Sequence, residues 1–163
     1  MEIQDKYMIF KVRDEEYGIS IRSVSSIEKA EKMNPIPKLP DFVRGVVKVR
    51  DELVPVIDIE AVFYQTQLEL ADSARLIVLQ TPALFVGLLV KEANDILEIR
   101  DGAKKQVGLI GYERTKYFSS VANLDGRLIT LVDPDILIAS LEGIKDIIAY
   151  INGERTKRTA LGS

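Results

Sequence analysis

Residues 49–58 read Val49-Arg50-Asp51-Glu52-Leu53-Val54-Pro55-Val56-Ile57-Asp58, and residues 124–133 read Leu124-Asp125-Gly126-Arg127-Leu128-Ile129-Thr130-Leu131-Val132-Asp133. Both stretches run from a polar turn through a β-rich segment to an aliphatic residue followed by Asp. A second match, at an offset of 69 positions, relates residues 17–21 to residues 86–90. Short, strand-rich units bury little apolar surface alone. The repeat therefore predicts two β modules that share a core.

The local patterns predict a mainly β chain. Predicted strands cover residues 6–13, 16–28, 42–49, 53–57, 74–81, 84–92, 95–100, 117–124 and 127–132. The proline-rich residues 34–40 cannot lie inside a sheet ladder and predict a surface loop. Asp58 and Asp133 are each placed to cap a short helix, and the three-and-four spacing of Ile144, Ile147, Ile148 and Ile151 predicts a docked helix over 144–152. The tail after Gly153 is expected to be disordered.

The composition disfavours several functional classes. A net charge of −3 and a pI near 5.2 offer no basic surface for nucleic acid, so we expect no nucleic-acid partner. The chain has no Cys, which suits a reducing compartment. Its longest apolar stretch, 84–90, is far shorter than the roughly 20 residues that span a bilayer. These features predict a cytoplasmic protein that does not insert into membranes.

Candidate catalytic residues are two carboxylate pairs. With neither His nor Cys, acid–base chemistry would fall to Asp58 with Glu60, or to Asp133 with Asp135. Helix capping explains the first member of each pair better, since a carboxylate there accepts hydrogen bonds from free backbone amides. Asp133 and Asp135 also lack the further oxygen ligands that a hard cation requires nearby. We expect no catalytic residue, no metal and no cofactor.

Six ordered blocks of residues carry a resemblance to a known family. They are Glu16-Tyr17-Gly18-Ile19-Ser20-Ile21, Pro40-Asp41-Phe42-Val43-Arg44-Gly45-Val46, Val54-Pro55-Val56-Ile57-Asp58, Val86-Gly87-Leu88-Leu89-Val90, Ile96-Leu97 and Gly126-Arg127-Leu128-Ile129-Thr130-Leu131-Val132-Asp133. In this order they resemble the CheW family of bacterial chemotaxis coupling proteins. The resemblance extends over about residues 6–140 and rests on the whole set of blocks.

The resemblance implies a fold and a function. The expected fold is mainly β, with two SH3-like five-stranded barrels around a shared core, short helices and a C-terminal helix. One CheW-like domain over 1–153 would contain a first barrel at about 15–65 and a second at about 75–135, completed by the N-terminal strand and C-terminal helices, with 154–163 as a disordered tail. The expected function is a non-enzymatic adaptor that links chemoreceptor cytoplasmic tips to the regulatory domain of the histidine kinase CheA.

The same resemblance implies two partner-binding surfaces. For an apolar groove that receives the receptor's helical hairpin, the candidates are Ile21, Val24, Ser26 and Gly87. For a hairpin that faces the kinase, they are Val49, Arg50 and Asp51. Family members pair a Glu on the second strand with the hairpin Arg, and this chain has Ser26 at the position of that Glu. Glu28 has the same strand parity, so we hypothesise that Arg50 pairs with Glu28 or with Asp51.

Four positions depart from the family pattern. Ser26 and Lys91 replace acidic residues, and Lys48 and Asp51 replace the Asn and Gly of the hairpin signature Asn-Leu-Arg-Gly. The alternative function is therefore a diverged CheW-like module that binds another signalling partner without receptor coupling. A small hydrolase or ligand-binding barrel is a third reading, which would need a deep pocket with converging carboxylates.

Overall fold

The computed structural model describes residues 4–30, 33–82, 84–106 and 116–162. Eleven strands are assigned in this part of the chain: β1 (Gln4–Val12), β2 (Glu15–Ser20), β3 (Val24–Lys29), β4 (Val43–Val49), β5 (Glu52–Asp58), β6 (Arg75–Gln80), β7 (Phe85–Val90), β8 (Glu92–Arg100), β9 (Lys104–Gln106), β10 (Phe118–Leu124) and β11 (Arg127–Val132). Three α-helices are assigned in the same part of the chain: α1 (Ile59–Tyr64), α2 (Pro134–Ser140) and α3 (Ile144–Gly162). The mainly β fold class is confirmed.

The strands form two sheets, and each sheet contains strands from both repeats. The six-stranded sheet has the order β8-β1-β2-β11-β10-β9, and the five-stranded sheet has the order β3-β6-β7-β5-β4. The first hairpin of each repeat thus joins the second hairpin of the other. Two β subdomains are present, but they do not follow the chain-order division into about 15–65 and 75–135, because the repeats exchange hairpins.

Two parallel strand pairs complete this exchange. β2 pairs with β11 so that Gly18 lies opposite Leu131, and β5 pairs with β7 so that Val56 lies opposite Gly87. These two junctions are equivalent under the sequence repeat. At each junction the glycine leaves room for a neighbour: a Cβ on Gly18 would lie 2.9 Å from Leu131 Cδ2, and one on Gly87 would lie 2.7 Å from Leu76 Cδ1.

Irregularities in the ladders recur at equivalent places in the two repeats. The β4–β5 register shifts between Val43 and Gly45, as the β10–β11 register does between Phe118 and Ser120. Such bulges redirect the side chain of the extra residue. The two repeats therefore share the positions of their ladder irregularities as well as their residue types.

The described residues form three hydrophobic clusters. The largest lies between the sheets and takes residues from both repeats, including Phe10, Ile57, Leu88, Val132 and Leu137. A second cluster fills the five-stranded subdomain around Val54, Leu76 and Val78, and a third fills the six-stranded subdomain around Ile9, Ile129 and Leu131. Successive side chains of a strand point to opposite faces, so one lies in the shared core and the next in the core of its own subdomain.

The predicted strand over 16–28 is two strands in the structure. A short 3-10 turn, Ile21–Ser23, separates β2 from β3, and the two strands belong to different sheets. The hydroxyl of Ser20 accepts a hydrogen bond from the Arg22 amide at 3.3 Å at this turn. The sequence does not show this break, because residues typical of strands lie on both sides of it.

The C-terminal helix also differs from the prediction. Helix α3 begins at Ile144, as expected, but continues to Gly162 through residues predicted to be a disordered tail. Glycine inside a helix is unfavourable by only about 1 kcal/mol relative to alanine, so Gly153 does not end the helix. Gly143 precedes α3 with φ of 84°, and a Cβ there would lie 2.7 Å from Pro40 Cγ.

The buried carboxylate of Asp58 organises the end of the first repeat. As predicted, Asp58 caps α1, because its Oδ1 accepts a hydrogen bond from the Ala61 amide at 3.2 Å. Its Oδ2 accepts from Arg44 Nη1 and from the Leu68 amide, both at 2.9 Å, and Arg44 Nη1 also donates to the Leu68 carbonyl. The ladder shift next to Arg44 brings its guanidinium to this site. This network holds Leu68 in the core of the five-stranded subdomain.

We expect Arg44→Ala to lower the free energy of unfolding by about 3 kcal/mol, because Asp58 is fully buried and would lose its cation. Urea denaturation followed by circular dichroism measures the change. Lys48→Ala is the control, since the Lys48–Asp51 pair is exposed and should contribute less than about 1 kcal/mol. Equal effects of the two substitutions would contradict the assigned role of Arg44.

We expect Gly18→Ala and Gly87→Ala each to lower the free energy of unfolding by about 1–3 kcal/mol, because the added methyl group meets packed side chains. Gly153→Ala is the matched control: nothing lies within 4 Å of a Cβ there, and the helix should gain up to about 1 kcal/mol. Urea denaturation of the three variants tests the close approach at the parallel junctions. If neither Gly18→Ala nor Gly87→Ala changed the free energy of unfolding, the close approach of side chains at these glycines would be contradicted.

Candidate protein-interaction site

The tip of the β4–β5 hairpin is a two-residue turn held in an unfavourable backbone conformation. Val49 pairs with Glu52, and between them Arg50 has φ of 48° and Asp51 has φ of 69°. Both values lie in the left-handed region that favours glycine. The turn is of the kind that suits a right-twisted hairpin and usually contains Asn-Gly or Asp-Gly. Its residues are exposed, and the Asp51 side chain is 94% accessible.

The equivalent turn in the second repeat has the favourable residues. Asp125 and Gly126 occupy the two left-handed positions, with φ of 54° and 92°. The sequence predicts this Asp-Gly turn, and the structure confirms it. The first repeat keeps the same backbone with Arg50 and Asp51, so its turn combines strain with charged, exposed side chains. Strain of this kind is concentrated at functional sites.

Beside this hairpin lies a groove of about 400 Å³. It runs between β3 and β4, the two outer strands of the five-stranded sheet. Five of its lining residues also contact or belong to the subdomain core: Ala30, Met33, Val47, Val49 and Leu76. Polar and charged side chains complete the lining: Glu28, Lys29, Asn34 and Lys48. The groove therefore combines an apolar surface with a rim of mixed charge.

Only some of the predicted site residues meet at this groove. Glu28 and Val49 line it, and Arg50 and Asp51 form the adjoining hairpin tip. Gly87 is buried behind Leu76, so its contribution is to leave room for a side chain that lines the groove.

The remaining three predicted residues lie in the first half of β3 or in the turn that precedes it. Ile21 belongs to the 3-10 turn before β3, while Val24 and Ser26 belong to β3 itself. All three are half-buried, and Val24 also packs against the shared core. None of them lines the groove beside the hairpin. The predicted residues thus divide into a set along β3 and a set at the β4–β5 hairpin.

The hypothesised ion pair of Arg50 is not formed in the structure. Asp51 instead lies 3.5 Å from Lys48 Nζ, and no ion pair joins Arg50 to Asp51 or to Glu28. The groove lies between β3, which carries Glu28, and the hairpin that carries Arg50. The left-handed turn could not be inferred from strand parity, and this is why the hypothesis was wrong.

The corresponding end of the six-stranded subdomain is differently built. Tyr7, the repeat equivalent of Leu76, accepts a hydrogen bond from Lys104 Nζ at 2.8 Å, and the same ammonium lies 4.9 Å from the Tyr7 ring centroid. Lys104 also contacts Asp101 at 3.1 Å. Burial lowers the pKa of Lys104, but its hydrogen bonds to Tyr7 and Asp101 outweigh burial and leave the pKa raised. A charged lysine thus covers Tyr7.

Sequence reasoning missed Lys29, Met33 and Leu76 as lining residues. Strand alternation could have indicated Val47, because it points to the same face of β4 as the predicted residue Val49. No local pattern identifies Met33 or Leu76, because they are distant in sequence from the β4 residues of the groove. They meet those residues only when the sheet curves and brings β3 and β4 together. Lys48 was noted only as a departure from the family pattern, and it forms part of the rim.

The described residues offer neither a metal site nor a membrane-spanning helix. No group of three or more His, Cys, Asp or Glu side chains in the described part of the chain is arranged to hold a metal ion. Among the described residues, no helix has the length and apolarity required to cross a membrane.

Comparison with known proteins decides the family. A model of the CheW-like domain matches residues 6–142. This chain belongs to the CheW family. It is 31% identical over 145 residues to the chemotaxis protein CheW of Klebsiella aerogenes, with 86% of this chain and 85% of the relative covered. Identity to CheW of Bacillus subtilis is 27% over 136 residues, which cover 82% and 86% of the two chains.

A solved structure supports the fold. The scaffolding protein TtCheW of Thermoanaerobacter tengcongensis superposes with a TM-score of 0.73 at 22% identity, over 80% of this chain and 89% of that one. Family membership makes this chain a chemotaxis scaffold protein, in agreement with the resemblance in its six sequence blocks.

The four departures from the CheW pattern occupy different environments. Ser26 is half-buried in β3, Lys48 lies on the groove rim, and Asp51 is at the hairpin tip. Lys91 forms an exposed ion pair with Asp14 at 3.4 Å. Two of the four changes thus lie at the strained hairpin and its groove.

We expect Asp51→Gly to raise the free energy of unfolding by about 0.5–1 kcal/mol, because glycine adopts positive φ without strain. Gly126→Ala, at the matching position of the second hairpin, should lower it by about 1 kcal/mol for the same reason. Urea denaturation of both variants is the measurement. A destabilised Asp51→Gly protein would show that the Lys48 contact outweighs the backbone strain.

Proposed function

We propose that this CheW-family protein couples chemoreceptor cytoplasmic tips to the regulatory domain of the histidine kinase CheA, without catalysing a reaction. The observation that carries the proposal is the strained β4–β5 turn beside a groove with an apolar lining. A backbone conformation that is unfavourable for both Arg50 and Asp51 is retained at an exposed position, as expected where the turn serves recognition. The protein would act in the cytoplasm at membrane-associated receptor arrays.

The kinase-facing surface in this proposal is the hairpin with Val49, Arg50 and Asp51. Val49 offers apolar surface in the groove, and Arg50 offers an exposed guanidinium that no described carboxylate pairs with. Arginine beside an apolar cavity is typical of interface residues that dominate binding. A partner that inserts an apolar side chain and presents a carboxylate to Arg50 would match this chemistry.

The receptor-facing surface in this proposal is the edge formed by the 3-10 turn and β3, with Ile21, Val24, Ser26 and Glu28. These residues are half-buried, so their apolar atoms are in part available to a helical hairpin. Gly87 supports the surface indirectly through Leu76. Both proposed surfaces belong to one sheet, and a rigid body that binds two partners holds them at high effective concentration.

A diverged scaffold with another signalling partner is the second candidate function. The changes at Lys48 and Asp51 favour it, because these two residues pair with each other at the hairpin where other family members have Asn and Gly. Pull-down assays against the CheA regulatory domain and a receptor cytoplasmic fragment separate the two functions. Binding to neither partner would favour the second candidate and overturn the first.

We expect Arg50→Ala to weaken binding of the CheA regulatory domain by at least tenfold, about 1.4 kcal/mol, with unchanged thermal stability. Isothermal titration calorimetry measures the affinity. Arg13→Ala is the matched control, because Arg13 is also exposed and also has positive φ, but lies in the β1–β2 turn. Equal affinities for wild type and Arg50→Ala would move the kinase-binding surface away from this hairpin.

A further inference from the structure

Helix α3 covers the outer face of the β4–β5 hairpin. Ile147 and Ile151 are each only 1% accessible in this helix. Tyr150 shares a small cavity of about 170 Å³ with Val46 and Leu53, which point away from the interior of the five-stranded subdomain. One hairpin of the repeat is thus packed against a helix that carries an aromatic residue.

The equivalent face of the β10–β11 hairpin lacks such a helix in the described part of the chain. Val121 corresponds to Val46, and Leu128 corresponds to Leu53. Val46 is buried and Val121 is half-buried, while Leu53 is half-buried and Leu128 is 60% accessible. Among the described residues, repeat-equivalent strands therefore present an apolar face that a helix covers in one repeat and one that no helix covers in the other.

A positively charged side chain borders the face that carries Val121 and Leu128. Lys105 on β9 pairs directly with Val121, and residues directly opposite in a sheet point to the same side. Lys105 is exposed and forms no ion pair with a described residue. Arg127 precedes Leu128 on β11 and so points to the opposite side of the sheet, where it pairs with Glu16 at 2.7 Å and Asp95 at 3.1 Å. The free positive charge at this face is thus Lys105, among the residues described.

We propose that the outer face of the β10–β11 hairpin, formed by Lys105, Val121, Asn123 and Leu128, binds an amphipathic helix of a partner protein. The helix presents an aromatic residue to Leu128 and an acidic residue to Lys105. The occupant is inferred from the molecule itself, because the repeat-equivalent face is covered by helix α3 with Tyr150. This surface lies outside the β3 and β4–β5 surfaces of the proposed function and does not depend on them.

A peptide with the sequence of residues 144–152, stapled to remain helical, is the probe. It contains Asp146 and Tyr150, the acidic and aromatic residues that the proposed surface selects, and stapling is needed because so short a helix is marginal in water. Titration into the isotope-labelled full-length protein should shift the amide resonances of Val121, Asn123 and Leu128. Leu128→Ser should weaken binding about tenfold, as expected for loss of one buried leucine contact.

Leu70→Ser is the matched control, because Leu70 is also an exposed leucine, at 49% accessibility, but lies between the repeats. The affinity of Leu70→Ser for the peptide should equal that of wild type. Lys105→Ala should make peptide binding less dependent on salt concentration, because it removes the charge that attracts the acidic residue. Three results would overturn the proposal: no shifts, shifts centred on Leu53 and Tyr150, or equal affinities for Leu128→Ser and wild type. Self-association of the full chain that Leu128→Ser abolishes would assign the face to a second copy instead.

Discussion

Exchange of hairpins between the two repeats is the constraint on which the rest of this structure depends. Each sheet is complete only when β2 meets β11 and β5 meets β7 in parallel pairs. The glycines at these junctions, Gly18 and Gly87, allow the neighbouring side chains to approach closely. Neither sheet is formed by one repeat alone, so each repeat depends on the other for its core.

Equivalent positions of the two repeats have different surroundings. Repeat-equivalent positions differ in what covers them: Lys104 covers Tyr7, whereas a groove remains beside Leu76. On the outer faces, α3 covers one hairpin and leaves its counterpart exposed at Leu128. A scaffold gains distinct binding surfaces in this way, since substitutions on one copy change recognition without altering the shared core.

Much of the candidate site was accessible from sequence, but its geometry was not. The repeat, the capping roles of Asp58 and Asp133 and the Asp-Gly turn follow from local patterns, and the structure agrees with each. The pairing of Arg50 with Glu28 was predicted from strand parity and is absent, because Arg50 lies in a left-handed turn on the other side of the groove from Glu28. Whether Arg50, Val49 and the β3 residues bind partners remains a prediction.

The sequence by itself determined the mainly β class, the doubled unit and the CheW family, because these depend on residue periodicity, glycine and aspartate placement and the order of six blocks. Only the tertiary structure decided which hairpins pair, since β2 and β3 have the same propensity yet join different sheets. It also decided where surfaces remain uncovered, as at Leu128. The physical reason is that strand partners and solvent exposure depend on contacts between distant residues, which local propensity does not encode.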